Sequence, residues 1–376
     1  GKIYEKSGRE PEAIALWNDL IDNKLKNLND YYQVGGFFMT EQKHEYALKT
    51  YMRGRQVLKS ENLFSNETAY LNQMLGRYEA ATYEYIELYN QNHQQYSYVK
   101  SQVLRMIKDG HEDGIEKGLL TQIQRNPTDL ELLELLYEFY TEINNFDEAL
   151  VQAKALDKRK KENGSRIIAL SQTMQNNEEF DRSNKALDYI IDNYKDTPFY
   201  LEALQERAKN FEMKAVRNLP VDTISIRRAV QNYDQLFTTF GRLPQLAEAM
   251  YRKARLCVFY LNDLRCAESE LGYIDQLALP LVRKADAKLL MGDVLIMEGE
   301  YNKAKLKYSE VEKEFENTQT GAMAKFRAAR LFYFKGDFES AKAYLQVLKE
   351  NTSNDIANDA IRLYLTIQDN TGMDSI

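Results

Sequence analysis

A small residue recurs in this chain at a fixed interval. Ala13, Ala47, Ala81, Ile115, Ala149 and Ser183 follow one another at steps of 34 residues, and Ile115 is the one large side chain among them. Their surroundings keep phase: Phe146-Asp147-Glu148-Ala149 aligns with Phe180-Asp181-Arg182-Ser183, and Gly8 aligns with Gly76 and Gly110. A fixed period of this length marks a solenoid, in which a unit that cannot bury its apolar face alone stacks on the next. The small residue has a steric reason. A second helix crosses the first there, and a larger side chain would hold the two apart.

Beyond Ser183 the interval changes. Ala229, Ala267, Ala304 and Ala341 come at steps of 46, 38, 37 and 37. A second ruler keeps the phase: Tyr194 to Ala203, Phe240 to Ala249, Phe315 to Ala324 and Leu348 to Ala357 are each nine apart. Pro127, Pro198, Pro244 and Pro280 fall 12 to 15 residues after their markers. A proline inside a helix costs about 3 kcal/mol, so these four mark breaks between repeats. Pro11 suits the first turn of a helix. The spacing therefore predicts one array over 1–196 with a 34-residue period and another over 197–376 with a period of about 37, as one continuous superhelix. The step of 46 holds an insertion at 218–225, Asn218 to Ser225, between the two helices of one repeat. It reads as a longer loop, with a partner-contacting loop or hinge as the alternative. Asn354–Gln368 reads as the first helix of a further repeat, either a cap or the start of more chain. The opening GKIYEKSG reads as the tail of a helix, so the chain is expected to be a fragment.

The ladder Tyr31, Val34, Gly35, Phe38, Ala47 and Tyr51 resembles the tetratricopeptide repeat, with its W-x2-L-G-x2-Y and A-x3-F pattern. Lys288, Met291, Gly292, Leu295, Ala304 and Tyr308 follow it more loosely, while Leu133, Leu136, Tyr137, Tyr140 and Ala149 put Tyr in the glycine's place. The resemblance implies an all-α fold, a right-handed αα superhelix of about ten helix–turn–helix repeats, and a protein or peptide partner held in a concave groove. Residues 190–360 also resemble in style the envelope repeat proteins of Gram-negative bacteria, among them the outer-membrane assembly lipoprotein and the Tol–Pal coordinator. The Lys/Asn/Arg set with which some family members clamp a C-terminal carboxylate is not reproduced, since Tyr32, Gly36, Asn66 and Tyr70 stand there.

Composition narrows the chemistry. With 50 basic against 57 acidic residues the net charge is −7, which argues against general nucleic-acid binding. Six prolines and seventeen glycines are few and favour long helices. No apolar run reaches the ~18 residues of a membrane span, and no signal peptide is legible. Cys257 and Cys266 read as two buried thiols, with pairing across a turn as the alternative. His44, His93 and His111 lie far apart, and no hydrolase, zincin or P-loop motif occurs. Asp109, His111, Glu112 and Asp113 read as a polar turn rather than a metal site. No catalytic, cofactor-binding or metal residue is assigned.

The candidate binding residues lie on one helix face. Glu131, Glu134, Glu138 and Glu142 are spaced 3, 4 and 4, so they share a stripe, and like charges there repel. By the resemblance, these positions line the groove. Lys100 and Lys108 precede them, and Arg166, Gln172 and Asn176 follow, at equivalent positions. The stripe is either a solvated face or a groove for a basic or polar segment. Tyr51, Tyr83, Tyr85, Phe146, Phe180, Tyr233, Tyr301, Tyr308 and Phe338 read as inter-helix packing, and Lys158–Lys161 as a solvated helix end matched to the dipole. The expected function is an interaction scaffold of a bacterial envelope, periplasmic or outer-membrane-associated. The alternatives are a cytoplasmic regulatory or sensor module and the non-catalytic part of a wall-active enzyme.

Overall fold

The computed structural model describes residues 1–217, 219–350 and 355–371. Its regular elements are helical, with no strand among the described residues. The chain divides into two compact units, Gly1–Met174 and Gln175–Ile376.

Unit 1 contains α1 (Lys2–Lys6), α2 (Glu10–Asp19), α3 (Leu28–Thr40), α4 (His44–Leu58), α5 (Ser65–Met74), α6 (Tyr78–Gln91), α7 (Tyr96–Met106), α8 (Glu112–Arg125), α9 (Leu130–Glu142) and α10 (Phe146–Lys160), and it ends within α11 (Ser165–Asn176). Unit 2 continues with α12 (Phe180–Asn193), α13 (Pro198–Arg217), α14 (Thr223–Phe240), α15 (Ala247–Phe259), α16 (Leu264–Gln276), α17 (Leu281–Met297), α18 (Tyr301–Glu314), α19 (Gln319–Phe334), α20 (Phe338–Lys349) and α21 (Asp355–Thr371). The odd-numbered helices are the first helices of pairs and the even-numbered ones the second. Each second helix carries one of the ten markers in its first turns, and all ten markers are at most 1% exposed. The markers are thus the points where second helices enter the core.

The family ladder has a direct steric cause. A Cβ on Gly35 would lie 2.4 Å from the Tyr51 ring, and one on Gly292 would lie 2.3 Å from the Tyr308 ring. In both pairs the first helix must present bare backbone where an aromatic ring sixteen residues later lies against it. Tyr137 stands at the glycine position of α9, and sixteen residues on is fully buried Ala153. Along the sequence the large residue here precedes the small one, the reverse of Gly35 and Tyr51. Of the predicted packing aromatics, Tyr51, Tyr85, Phe146, Phe180, Tyr233 and Tyr308 are buried, and Phe338 is exposed.

Unit 1 departs from simple pair stacking at α8. α8 lies along α6, the second helix of the preceding repeat, rather than along α7. Gly114 and Gly118 permit this approach: a Cβ on Gly118 would lie 2.6 Å from Thr82 Cβ and 2.9 Å from the Glu79 carbonyl, and one on Gly114 would lie 3.1 Å from Tyr78 Cβ. The marker in α8 is the bulky Ile115, so the reading that every second helix packs on its own first helix through a small residue does not hold here.

In unit 2, helices pack in sequence from α12 to α21, and α15, α17, α19 and α21 also meet one another along the first-helix side. The long step of 46 goes largely into helix length. α13 has 20 residues and α14 has 18, and Thr223-Ile224-Ser225 form the first turn of α14 under the Asp222 cap; Asn218 lies outside the described residues. Asn354 also lies outside them, and α21 runs from Asp355.

Cys257 and Cys266 form a disulfide with Cα atoms 6.0 Å apart, so the alternative of pairing across the turn holds in place of two buried thiols. Asp263 caps α16 by accepting a hydrogen bond from the Cys266 amide at 3.0 Å, so the turn sets α16 beside the end of α15 with the two sulfurs facing. Close by, Glu270 is 1% exposed and accepts hydrogen bonds from Arg242 at 2.7 and 3.0 Å and from Lys253 at 2.7 Å. A carboxylate this deep needs such partners to stay charged.

Candidate functional site

The acidic stripe begins at a helix cap. Asp129 accepts from the Glu131 and Leu132 amides at 2.9 and 3.2 Å, and the Tyr89 hydroxyl donates to it at 2.9 Å. The cap sets the start of α9 and so fixes which residues face outward. Glu131 and Glu142 are exposed at the two ends of the stripe. Glu134 and Glu138 between them are engaged by neighbouring helices. Lys100 on α7 donates to Glu138 at 2.6 Å, and Arg166 on α11 donates to Glu134 at 2.5 Å and to Glu162 at 2.7 Å. Lys160, at the end of α10, closes on the other Glu134 oxygen. The Arg166 guanidinium also lies 5.1 Å over the Tyr137 ring.

This arrangement answers the repulsion expected along α9. Burial alone would raise the Glu134 carboxyl, but the hydrogen bonds from Lys160 and Arg166 outweigh it and hold the group below the usual carboxylate range. The Tyr96 hydroxyl is buried without a hydrogen-bond partner among the described residues, and burial, followed by the charges of Glu138, Glu134, Glu131 and Asp129, pushes it far up. The structure thus brings Lys100, Glu134, Glu138 and Arg166 together as one ladder across α7, α9 and α11. Lys108 stands apart, exposed on the turn after α7, and Gln172 is exposed on α11; Asn176 is exposed and belongs to unit 2. The basic run at the end of α10 is more than a solvated end: besides Lys160, Arg159 donates to the Pro127 carbonyl at 3.0 Å.

Gly110–Asp113 of the polar turn form one wall of a 710 Å³ cleft that also takes in Arg77, Tyr78, Glu79 and Tyr83. His111 stacks on Tyr78 with ring centroids 4.4 Å apart. Among the described residues, no group of three or more His, Cys, Asp or Glu is placed to hold a metal ion.

A second face went unread in the sequence. In unit 2 a cleft of 510 Å³ opens along the first helices, lined by Phe259, Asp293, Met297, Arg327, Arg330 and Phe334 among others. Asp293 accepts from the Tyr308 hydroxyl at 2.7 Å and from Arg327 at 2.5 Å. A signal was present. Phe259, Met297 and Phe334 each stand ten residues after the small residue near the start of their helix, Ala249, Ala287 and Ala324. The Gly114-x3-Gly118 spacing that seats α8 on α6 was likewise legible as a close-approach pattern.

Residues 323–352 match the family model of the tetratricopeptide repeat. No curated protein matches the chain. Similar solved structures include the MamA protein, with 18% identity over 50% of this chain and 92% of that one and a TM-score of 0.39. A tetratricopeptide repeat protein from Parabacteroides merdae shows 14% identity over 73% of this chain and 98% of that one, with a TM-score of 0.36. A structure of Naa15/Naa10 bound to HypK-THB shows 13% identity over 91% of this chain and 61% of that one, with a TM-score of 0.31. No helix among the described residues is long and apolar enough to cross a membrane. The matched segment spans most of α19 and α20, so this helix pair is a tetratricopeptide repeat, and it stands in a chain of helix pairs whose glycine and aromatic positions interlock at Gly35 and Tyr51 and at Gly292 and Tyr308.

Proposed function

We propose that the chain is a protein-interaction scaffold that docks a segment of a partner along its first helices, in an oxidising compartment of the bacterial envelope. One observation carries the docking: Phe259, Met297 and Phe334 are 57%, 56% and 52% exposed in the same register of three packed first helices. Scattered exposed apolar residues are ordinary, but a contiguous set lining one cleft is what an interface uses. The compartment is supported by the Cys257–Cys266 disulfide, because such bonds persist outside reducing cytosol, and by the repeat style of residues 190–360. Binding on this reading needs no cofactor.

The test is site-specific photo-crosslinking in cells. A crosslinking residue replaces Tyr98 or Phe334 on first helices, or Val151 or Leu306 on second helices. Partner adducts should arise from the first two positions and be sparse from the others; equal yields from all four would sink the docking proposal. Rapid acid quench and alkylation of the same cells should find Cys257 and Cys266 blocked. Free thiols there would favour the cytoplasmic regulatory alternative.

A further inference from the structure

We infer that the first-helix face of unit 2 takes an acidic segment of a partner protein whose apolar side chains fill the cleft between Phe259, Met297 and Phe334. This deepens the scaffold reading and rests on it. α15, α17 and α19 lie side by side, so the three exposed apolar side chains form one patch. A second depression of 300 Å³ adjoins it, sharing Arg330 and Phe334 and adding Arg362 and Leu363.

Charge selects the occupant. Both oxygens of Asp293 are already taken, one by Tyr308 and the other by Arg327, so this pair offers little to an incoming ion. Arg330 is exposed at the lip shared by the two depressions and has no carboxylate partner among the described residues. Arg362 is exposed in the second depression, where Asp359 is the single acid in the lining. Arg255 stands six residues after Ala249, as Arg330 stands six after Ala324, and it too is exposed. Burial and the acids Asp286 on α17 and Glu248 on α15 push the Tyr251 hydroxyl up, while Arg255 and Arg327 act on it with the opposite sign. A partner carboxylate entering beside Phe334 therefore meets a guanidinium without displacing an existing ion pair. Such a contact is charge-assisted and can be bidentate. A cationic segment would bring its charge to Arg330 and Arg362.

A second copy of the chain fits less well. A two-fold interface sets the same patch against itself, which would place Arg330 of one copy toward the arginines of the other. Like charges facing each other across an interface are penalised.

The probes are short fluorescent peptides with Phe or Leu at every third or fourth position and Glu, Gln or Lys at the others, titrated against the full chain by anisotropy. The glutamate set should bind. The glutamine set should bind about tenfold more weakly, a difference of about 1.4 kcal/mol, and the lysine set weaker still. Arg330→Glu should reverse the order of the glutamate and lysine sets. Phe334→Ala should weaken every set about tenfold, as loss of a central apolar anchor does; both side chains are exposed, so both variants should fold. Equal binding of glutamate and glutamine sets, indifference to Arg330→Glu, no binding of the glutamate set, or a Phe334-dependent dimer in sedimentation without peptide binding would each overturn the inference. If crosslinks to a partner still form from Tyr98, the scaffold reading survives that failure; if crosslinks form at no first-helix position, the scaffold reading itself has failed.

Discussion

The first-helix faces of the two units spend their charges differently. On α7, α9 and α11 of unit 1, Lys100, Glu138, Glu134, Arg166 and Glu162 satisfy one another, so the ionic groups brace the stack. On α15, α17 and α19 of unit 2, Arg327 and Asp293 cancel, while Arg330 remains beside exposed Phe259, Met297 and Phe334. The same repeat position can therefore serve cohesion in one region and recognition in another. What decides is whether the neighbouring first helix supplies a counter-ion. A charged face should be called a binding face only after its internal partners have been traced.

The largest expected effect tests this contrast directly. Arg166→Met leaves Glu162 without its arginine and Glu134 with Lys160 alone. It should cost about 3 kcal/mol, in the range for breaking a largely buried ion pair. Arg330→Met should stay within about 0.5 kcal/mol, as surface changes do. Hydrogen exchange read helix by helix is the suitable measure, because long repeat arrays need not unfold in one step. Similar losses at the two arginines would break the comparison.

The next prediction concerns what the units share. Gly35→Ala and Gly292→Ala each drive a methyl group into an aromatic ring and should each cost about 2 kcal/mol by overpacking. Urea midpoints of the two variants should fall together. A harmless Gly292→Ala would mean that unit 2 yields at its helix crossing where unit 1 does not.

Acid should act through the paired carboxyls. Burial would raise Glu134 in unit 1 and Glu270 in unit 2, but their cationic partners outweigh it, and both sit below the usual carboxylate value. A carboxyl depressed in the folded state contributes stability that is present above its unfolded value of about 4.3. That contribution is lost as pH falls through the lower folded value. Exchange protection of α9 and α16 should therefore decline on acidification below that range and be insensitive to pH above it. Glu134→Gln should remove the acid response of α9 alone. The smallest effect is expected at Glu142, exposed at the end of the stripe: Glu142→Gln should change stability by less than about 0.5 kcal/mol.

The repeat boundaries were legible because volume at a helix crossing is a local requirement. Ala47 or Ala304 can be recognised without knowing anything distant. The glycine–aromatic interlock at Gly35 and Tyr51 was legible for the same reason. The stripe on α9 could be placed on one face from its spacing, and Lys100 and Arg166 could be named beside it by counting repeats. Their commitment to Glu138 and Glu134 could not, since a period gives the register of equivalent positions but not the reach of side chains between helices. The seat of α8 on α6 escaped because it joins helices of different repeats. The Gly114-x3-Gly118 spacing marks a close approach without naming the helix that is approached. The disulfide depended on how the turn before α16 closes, a matter of a few backbone angles. The cleft near Phe334 was missed because three residues 38 and 37 apart look unremarkable until their helices are aligned.

The seat of α8 on α6 has a mechanical consequence. A stack in which each helix leans only on its neighbours behaves as springs in series, so its compliance adds up along the row. A contact that skips a helix, made rigid by backbone-to-side-chain approach at Gly118, places a second spring in parallel across α7. Tension applied to unit 1 would then be carried past α7, and stretching would be taken up in the links on either side. Replacing Gly118 with a bulkier residue should turn this stiff joint into an elastic one.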